Sequence, residues 1–168
     1  QGRMRTGVTA FSTYVSAVAS GKTATVDCEV LAELAFDDPK KTEYAVAGVR
    51  ASATFSGTFP TNGYFVELEV NSNQYTLRKG VAGSYTTLAT ISKTFTAGTA
   101  VWIRLQAFGT AVKAKAWNDG TSEPGTWDSE VTDAAVTAAG YVVLSMQSGV
   151  SSTCTALWDN VAMSNGLG

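Results

Sequence analysis

The chain has no histidine among its 168 residues. Neither a Ser-His-Asp nor a Cys-His device can be assembled from it, and the side chain that most often ligates metals is missing. Charge is scarce as well: 15% of residues are charged, and 12 Lys and Arg against 14 Asp and Glu leave a net charge of −2. So weak a field does not draw in a phosphate backbone or an anionic lipid surface, which removes nucleic acid as a partner. The longest apolar stretch, around Ala134 to Met146, is interrupted by Thr137 and Ser145 and is too short to cross a bilayer, so no membrane insertion is expected. Cysteine is limited to Cys28 and Cys154, near opposite ends. The first and last strands of a sandwich often pair, so a bridge between them and two small buried thiols both stay open.

What is abundant is Ser, Thr, Ala, Gly and Val, a composition suited to short strands joined by small-residue turns. The length fits one domain whose core needs no metal or disulfide. Gln1 is not an initiator Met and both ends are polar and Gly-containing. The expectation is a single β-sandwich domain over 1–168, cut from a longer polypeptide.

Period-two alternation recurs along the chain, while apolar spacing at i, i+3, i+4 is sustained nowhere. Strands are expected near 6–18, 23–35, 44–55, 63–71, 74–80, 85–92, 100–108, 111–118, 139–148 and 153–163. Turns fall at Ser20-Gly21, Asp37-Asp38-Pro39, Pro60-Thr61-Asn62-Gly63, Asn71-Ser72-Asn73, Ala82-Gly83, Gly98 and Gly109-Thr110. Ten strands at this spacing point to an all-β, antiparallel two-sheet sandwich of the concanavalin A-like jelly-roll type.

The turn at Gly109-Thr110 allows a register to be written by hand. It sets Gln106 opposite Lys113, Arg104 opposite Lys115 and Trp102 opposite Trp117 on one face, with Leu105 opposite Ala114 and Ile103 opposite Ala116 on the other. The small apolar face suits the core. Because Arg104 and Lys115 oppose each other, they need acidic neighbours, and Glu67 and Glu69 are the expected source. The reading is one polar sheet face gathering Phe65, Glu67, Glu69, Trp102, Arg104, Lys113, Lys115 and Trp117.

Aromatic rings beside carboxylates and guanidinium suit carbohydrate, whose C–H faces stack on indole and whose hydroxyls pair with the charged groups. The candidate ligand-binding residues are therefore Trp102, Arg104, Lys115, Trp117, Glu67 and Glu69. The competing reading packs the two indoles on each other and makes the charges a ladder over the sheet. Glu67-Leu68-Glu69 also raises glycoside hydrolysis, which works through paired carboxylates. Laminarinase-like glucanases carry a third acid on such a strand, where this chain has Asn71 or Ser72. With Arg104 and Lys115 nearby, the two glutamates are expected to stay ionised, the wrong state for a general acid, so no catalytic residue is assigned. No cofactor is expected beyond structural Ca²⁺, with Asp159, Asp37 and Asp38 as its candidate ligands; such acids more often cap turns. Trp127, after Glu123-Pro124, is expected to pin its loop to the sandwich edge.

The ordered set Gly98, Trp102-x-Arg104, Gly109, Lys113-Ala114-Lys115-Ala116-Trp117, Glu123-Pro124-x-x-Trp127, Ala139-Gly140 and Trp158-Asp159-Asn160-Val161 resembles the laminin-G-like, concanavalin A-like domains in minor tail proteins of phages that infect actinobacteria. Tyr75-x-Leu77-Arg78-Lys79 followed by Gly83-x-Tyr85 fits the same pattern, and the likeness spans about residues 23–163. It implies a jelly roll exposed on a virion tail tip or fibre, in contact with other tail proteins and with a host-surface glycan, and forming homo-oligomers through flanking segments. Assembly in cytosol would keep both cysteines reduced. Trp158 stands where the family usually has Phe, and the cysteines are not a family feature. The alternatives are a secreted bacterial carbohydrate-binding module and, after it, a glycoside hydrolase.

Overall fold

The computed structural model describes residues 4–8, 14–18, 24–36, 43–69, 72–96, 98–148 and 154–164. Two six-stranded antiparallel sheets face each other. The first contains, in spatial order, β1 (Met4–Val8), β14 (Cys154–Ser164), β3 (Cys28–Phe36), β10 (Val101–Phe108), β11 (Ala111–Asn118) and β12 (Ser129–Thr132). The second contains β2 (Tyr14–Val18), β13 (Tyr141–Ser148), β4 (Glu43–Ala51), β7 (Gly63–Glu69), β8 (Gln74–Val81) and β9 (Ser84–Ser92). A two-stranded ribbon, β5 (Phe55–Ser56) and β6 (Phe59–Pro60), sits between β4 and β7 in sequence. The expected all-β jelly-roll sandwich is what forms.

The alternation read from the sequence is the alternation that fills the core. Val30, Ala32 and Leu34 of β3, Val101, Ile103 and Leu105 of β10, and Val112, Ala114 and Ala116 of β11 are buried in one cluster. Tyr64, Val66 and Leu68 of β7, Ala45, Ala47 and Val49 of β4, and Leu144 and Met146 of β13 meet them from the other layer. A one-residue slip in any of these strands would turn its apolar set to solvent, so burial fixes the register.

Two expectations about elements fail for definite reasons. The segment 6–18 is not one strand: β1 joins the first sheet and β2 the second, so the chain changes layer between them. Periodicity cannot report a layer change, because both halves alternate. The short β12 and the β5–β6 ribbon were missed because they are two to four residues long. Strand register also decides between the two readings left open for the cysteines. In the β3–β14 pairing Ser164 lies opposite Glu29 and Ala156 opposite Phe36, so Cys154 belongs to the far end of the sheet from Cys28. Roughly ten residues at about 3.3 Å each separate the two positions, where a disulfide needs Cα atoms within about 7 Å. Cys28 is a free, buried thiol.

Buried polar groups lock the sandwich. Arg50, wholly buried and with a φ of 49°, donates to the carbonyls of Val26, Val136 (3.0 Å) and Gly109 (2.7 Å) and pairs with Asp27 at 3.3 Å. It ties the start of β3, the β10–β11 turn and the 133–140 loop together. A Cβ on Gly140 would lie 2.2 Å from the Arg50 carbonyl carbon, so only glycine lets that loop pass. Two phenols from the second sheet reach Asp-centred clasps beside β12. Tyr64 Oη donates to Asp133 (2.8 Å), which pairs with Lys79 (2.5 Å). Tyr75 Oη donates to Asp128 (2.9 Å), which pairs with Lys93 (3.0 Å).

Candidate functional site

The hand-written register of β10 and β11 is the observed one, with Trp102 opposite Trp117, Arg104 opposite Lys115 and Gln106 opposite Lys113. These side chains point away from the core, since their neighbours Ile103, Leu105, Ala114 and Ala116 point into it. The indoles of Trp102 and Trp117 stack at 6.1 Å with their planes 9° apart. Trp102 Nε1 donates to Asp119 Oδ1 at 2.9 Å, which uses its only donor.

This outer face is roofed. The loop after β11 folds back over it, and Lys115 Nζ meets Glu123 Oε1 (2.6 Å) and the Pro124 carbonyl (2.7 Å). The same Nζ lies 4.9 Å from the Trp127 ring centroid and 6.0 Å from that of Trp117. Trp127 therefore pins the loop across the sheet face rather than to the sandwich edge. Arg104 is held by Glu29 (2.7 Å) and Glu123 (2.9 Å), and Lys113 by Glu130 (2.8 Å). Trp117 is 7% exposed and Lys115 6%. The cations and carboxylates of this face are thus paired with one another under the loop, with Arg104 Nε buried beside Glu123 without a hydrogen bond, and little accessible polar surface is left for a ligand.

Glu67 and Glu69 are elsewhere. Both lie on β7 in the opposite sheet, so the single face expected to gather them with Arg104 and Lys115 does not exist. Glu29 and Glu123 supply the neutralising charge instead. Sequence alternation says which residues share a strand face, but which sheet a strand joins is set by packing.

On the outer face of the second sheet, Tyr44, Glu67, Glu69, Gln74, Tyr75, Thr76 and Arg78 line an open pocket of about 160 Å³. Strand β7 pairs with β8 so that Glu69 opposes Gln74, Glu67 opposes Thr76 and Phe65 opposes Arg78. The diagonal brings Arg78 Nε to 2.7 Å from Glu67 Oε2, and Thr76 Oγ1 donates to the same oxygen at 3.1 Å. Beside the pocket the β5–β6 ribbon leans on the sheet: Phe59 stacks on Phe65 at 5.2 Å, and the Arg78 guanidinium lies 5.8 Å from the Phe59 ring. The ribbon is anchored by Ser145, which donates to the Thr58 carbonyl, and by Thr58, which donates to Gln147 (2.8 Å).

Arg78 is thus fixed through its Nε and its flat face, while its two terminal amino groups have no partner among the described residues. Glu67 Oε1 and the whole Glu69 carboxylate are likewise without partners there. A rigid fork of donors beside free acceptors is the arrangement that reads a polyhydroxylated ligand. Burial pushes the Glu67 carboxyl above its ordinary value; Arg78 and Thr76 oppose the rise and Glu69 adds to it. The expectation that Arg104 and Lys115 would hold this carboxylate ionised therefore rested on the wrong neighbours. Tyr44, Gln74, Thr76 and Arg78 were missed as site residues. The turn signal alone would not have found them: a three-residue turn at 71–73 sets residue 70 opposite Gln74 and Glu67 opposite Leu77, one position away from the observed pairing of Glu69 with Gln74 and Glu67 with Thr76.

Of the acids considered for Ca²⁺, Asp159 accepts the backbone N–H of Asn160 at 2.8 Å, the turn-capping role such residues commonly take. Asp37 and Asp38 lie outside the described residues. Among the described residues no three Asp, Glu or Cys side chains gather around one point, and no helix is long and apolar enough to cross a membrane.

No family model matches the chain, and no curated protein matches it. Solved structures do. The carbohydrate-binding module CBM66 from Bacillus subtilis superposes with a TM-score of 0.69 at 13% identity, covering 96% of this chain and 94% of that one. The exoplasmic/lumenal domain of VIP36, solved in its Ca²⁺/Man3GlcNAc-bound form, gives 0.63 at 9% identity over 99% of this chain and 84% of that one. Xylan β-1,4-xylosidase from Bacillus halodurans gives 0.58 at 13% identity, with 83% of this chain matched to 28% of the enzyme. At such identities what is shared is the sandwich.

Proposed function

We propose that this domain is a non-catalytic glycan-binding module whose ligand sits in the pocket between β4, β7 and β8. One observation carries the reading: Arg78 is immobilised against Glu67, Thr76 and Phe59 while its terminal amino groups and Glu67 Oε1 stay unsatisfied at the pocket wall. Donors and acceptors held in place before binding lose little entropy on engaging hydroxyls. Tyr44 supplies an aromatic wall. The sandwich shared with a carbohydrate-binding module and with a glycan-bound lumenal domain supports the same reading.

The setting we infer is an exposed phage tail tip or fibre, where such a module would hold the virion on a host-surface glycan among other tail proteins. The sequence pattern from Trp102 to Trp127 supports it. A secreted bacterial module is the second reading, favoured by the near-complete mutual coverage with the Bacillus subtilis domain. Hydrolysis is not proposed: Glu67 is engaged by Arg78, and the other carboxyl at the pocket wall, Glu69, stands two residues along the same strand rather than across the pocket, where a retaining or inverting pair would flank the scissile bond.

The test is binding of wild-type, Arg78→Ala, Tyr44→Ala and Trp102→Ala domains to a glycan array and to purified actinobacterial cell wall. Loss of at least about tenfold in affinity is expected for the first two variants, with Trp102→Ala like wild type. If instead Trp102→Ala loses binding and Arg78→Ala keeps it, the roofed face is the receptor site and this assignment is wrong.

A further inference from the structure

The pocket holds an asymmetry of charge that decides which sugars it can take. Its wall carries two carboxylates, Glu67 and Glu69, and one guanidinium, Arg78, so its formal charge is −1. Arg78 is already committed to Glu67 at 2.7 Å, which leaves the negative charge on Glu69. Glu69 has neither an ion-pair nor a side-chain hydrogen-bond partner among the described residues; its backbone is held in the β4–β7–β8 ladder, and its carbonyl also accepts from Ser72 Oγ at 2.9 Å. The roofed face of the other sheet shows the contrast, since its carboxylates Glu29, Glu123 and Glu130 all face a cation.

We infer that Glu69 is a specificity-determining residue that makes the pocket accept glycans without acidic groups and turn away uronates and other anionic sugars. This rests on the glycan reading above and narrows it. A neutral hydroxyl can donate to Glu69 or to Glu67 Oε1 and accept from the Arg78 amino groups. A sugar carboxylate entering the same space meets Arg78 already neutralised by Glu67 and finds Glu69 unopposed. At a few ångströms, with dielectric between that of water and that of a protein surface, one unpaired like charge is worth roughly a tenfold change in affinity. The volume of about 160 Å³ is below the roughly 300 Å³ and upward of sites for drug-sized ligands. One ring fills it, so the charge on that ring cannot be held at a distance.

An array of gluco-, galacto- and manno-configured oligosaccharides, each printed beside its C6-oxidised uronate counterpart, reads this directly. Wild type is expected to bind the neutral member of its preferred pair about tenfold more tightly than the oxidised one. Glu69→Gln is expected to shrink that ratio to about twofold, and 0.5 M salt to shrink it for wild type alone, because screening acts on the same charge. Equal or tighter binding of the uronate by wild type, or an unchanged ratio in Glu69→Gln, overturns the inference while glycan binding stands. Binding to neither member of any pair removes the glycan reading itself, and the inference with it.

Discussion

The two outer faces of this sandwich are built from similar residue types and end in opposite states. Beyond β10 and β11 lie two tryptophans, an arginine, two lysines and three glutamates, all mutually engaged under the Glu123–Trp127 loop. Beyond β7 and β8 lie an arginine, two glutamates and a tyrosine, with donors and acceptors still open. Connectivity makes the difference. The chain leaving β11 returns across its own sheet and covers it, whereas the ribbon leaving β4 covers only part of the other sheet and stops at Phe59. A rich polar face is therefore no guide to a binding site until one asks what the next loop does.

The sharpest way to break this contrast is to remove a side chain from the covered face. Trp117→Ala should lower stability by about 3 kcal/mol in urea unfolding, the scale of a Trp→Ala truncation in a packed site. Glycan affinity of the folded fraction should stay at the wild-type value. A stable Trp117→Ala domain that no longer binds would reverse the roles of the two faces.

Acid separates the regions next. Burial alone would raise the Asp133 carboxyl, but Lys79, the Ala135 N–H and the Tyr64 hydroxyl together hold it below its ordinary 3.8. As pH falls, the unfolded chain then takes up the proton first, so the clasp stabilises the fold above about pH 4 and loses that contribution as pH drops through the lowered value. Glu67 runs the other way, because its raised carboxyl favours the protonated fold in acid. Asp133→Asn should cost about 2 kcal/mol at pH 7, and the gap to wild type should close as pH falls through the carboxyl's lowered value. A gap independent of pH in thermal melts would mean that the ionised clasp contributes nothing.

The smallest effect belongs to the core between the faces. Trp158 is fully buried and its indole N–H has no acceptor among the described residues. Trp158→Phe removes that unsatisfied donor while opening a small void, and the opposed terms should leave stability within about 1 kcal/mol of wild type. A loss above about 3 kcal/mol in chemical denaturation would show that the indole is fully satisfied.

Much of the fold was legible because it depends on local rules. Alternation fixed the inward residues of β3, β10 and β11, and Gly109-Thr110 fixed a register that placed Trp102 against Trp117 to the residue. The candidate site was legible only in halves: Glu67 and Glu69 were found, and Glu67's partners Arg78 and Thr76 required the β7–β8 register. Whether Cys28 and Cys154 could meet was left open by their places near the chain ends, and strand direction separates them along the sheet.

By itself the sequence determined that this chain is an antiparallel sandwich without histidine chemistry, because period-two burial and composition act over a few residues at a time. Only the tertiary structure decided that Glu67 and Glu69 belong to the opposite layer from Arg104 and Lys115, and that one face is roofed while the other is open. Layer membership and loop coverage are set by contacts between residues tens of positions apart, and no short-range pattern encodes which of two equally apolar surfaces a strand will bury.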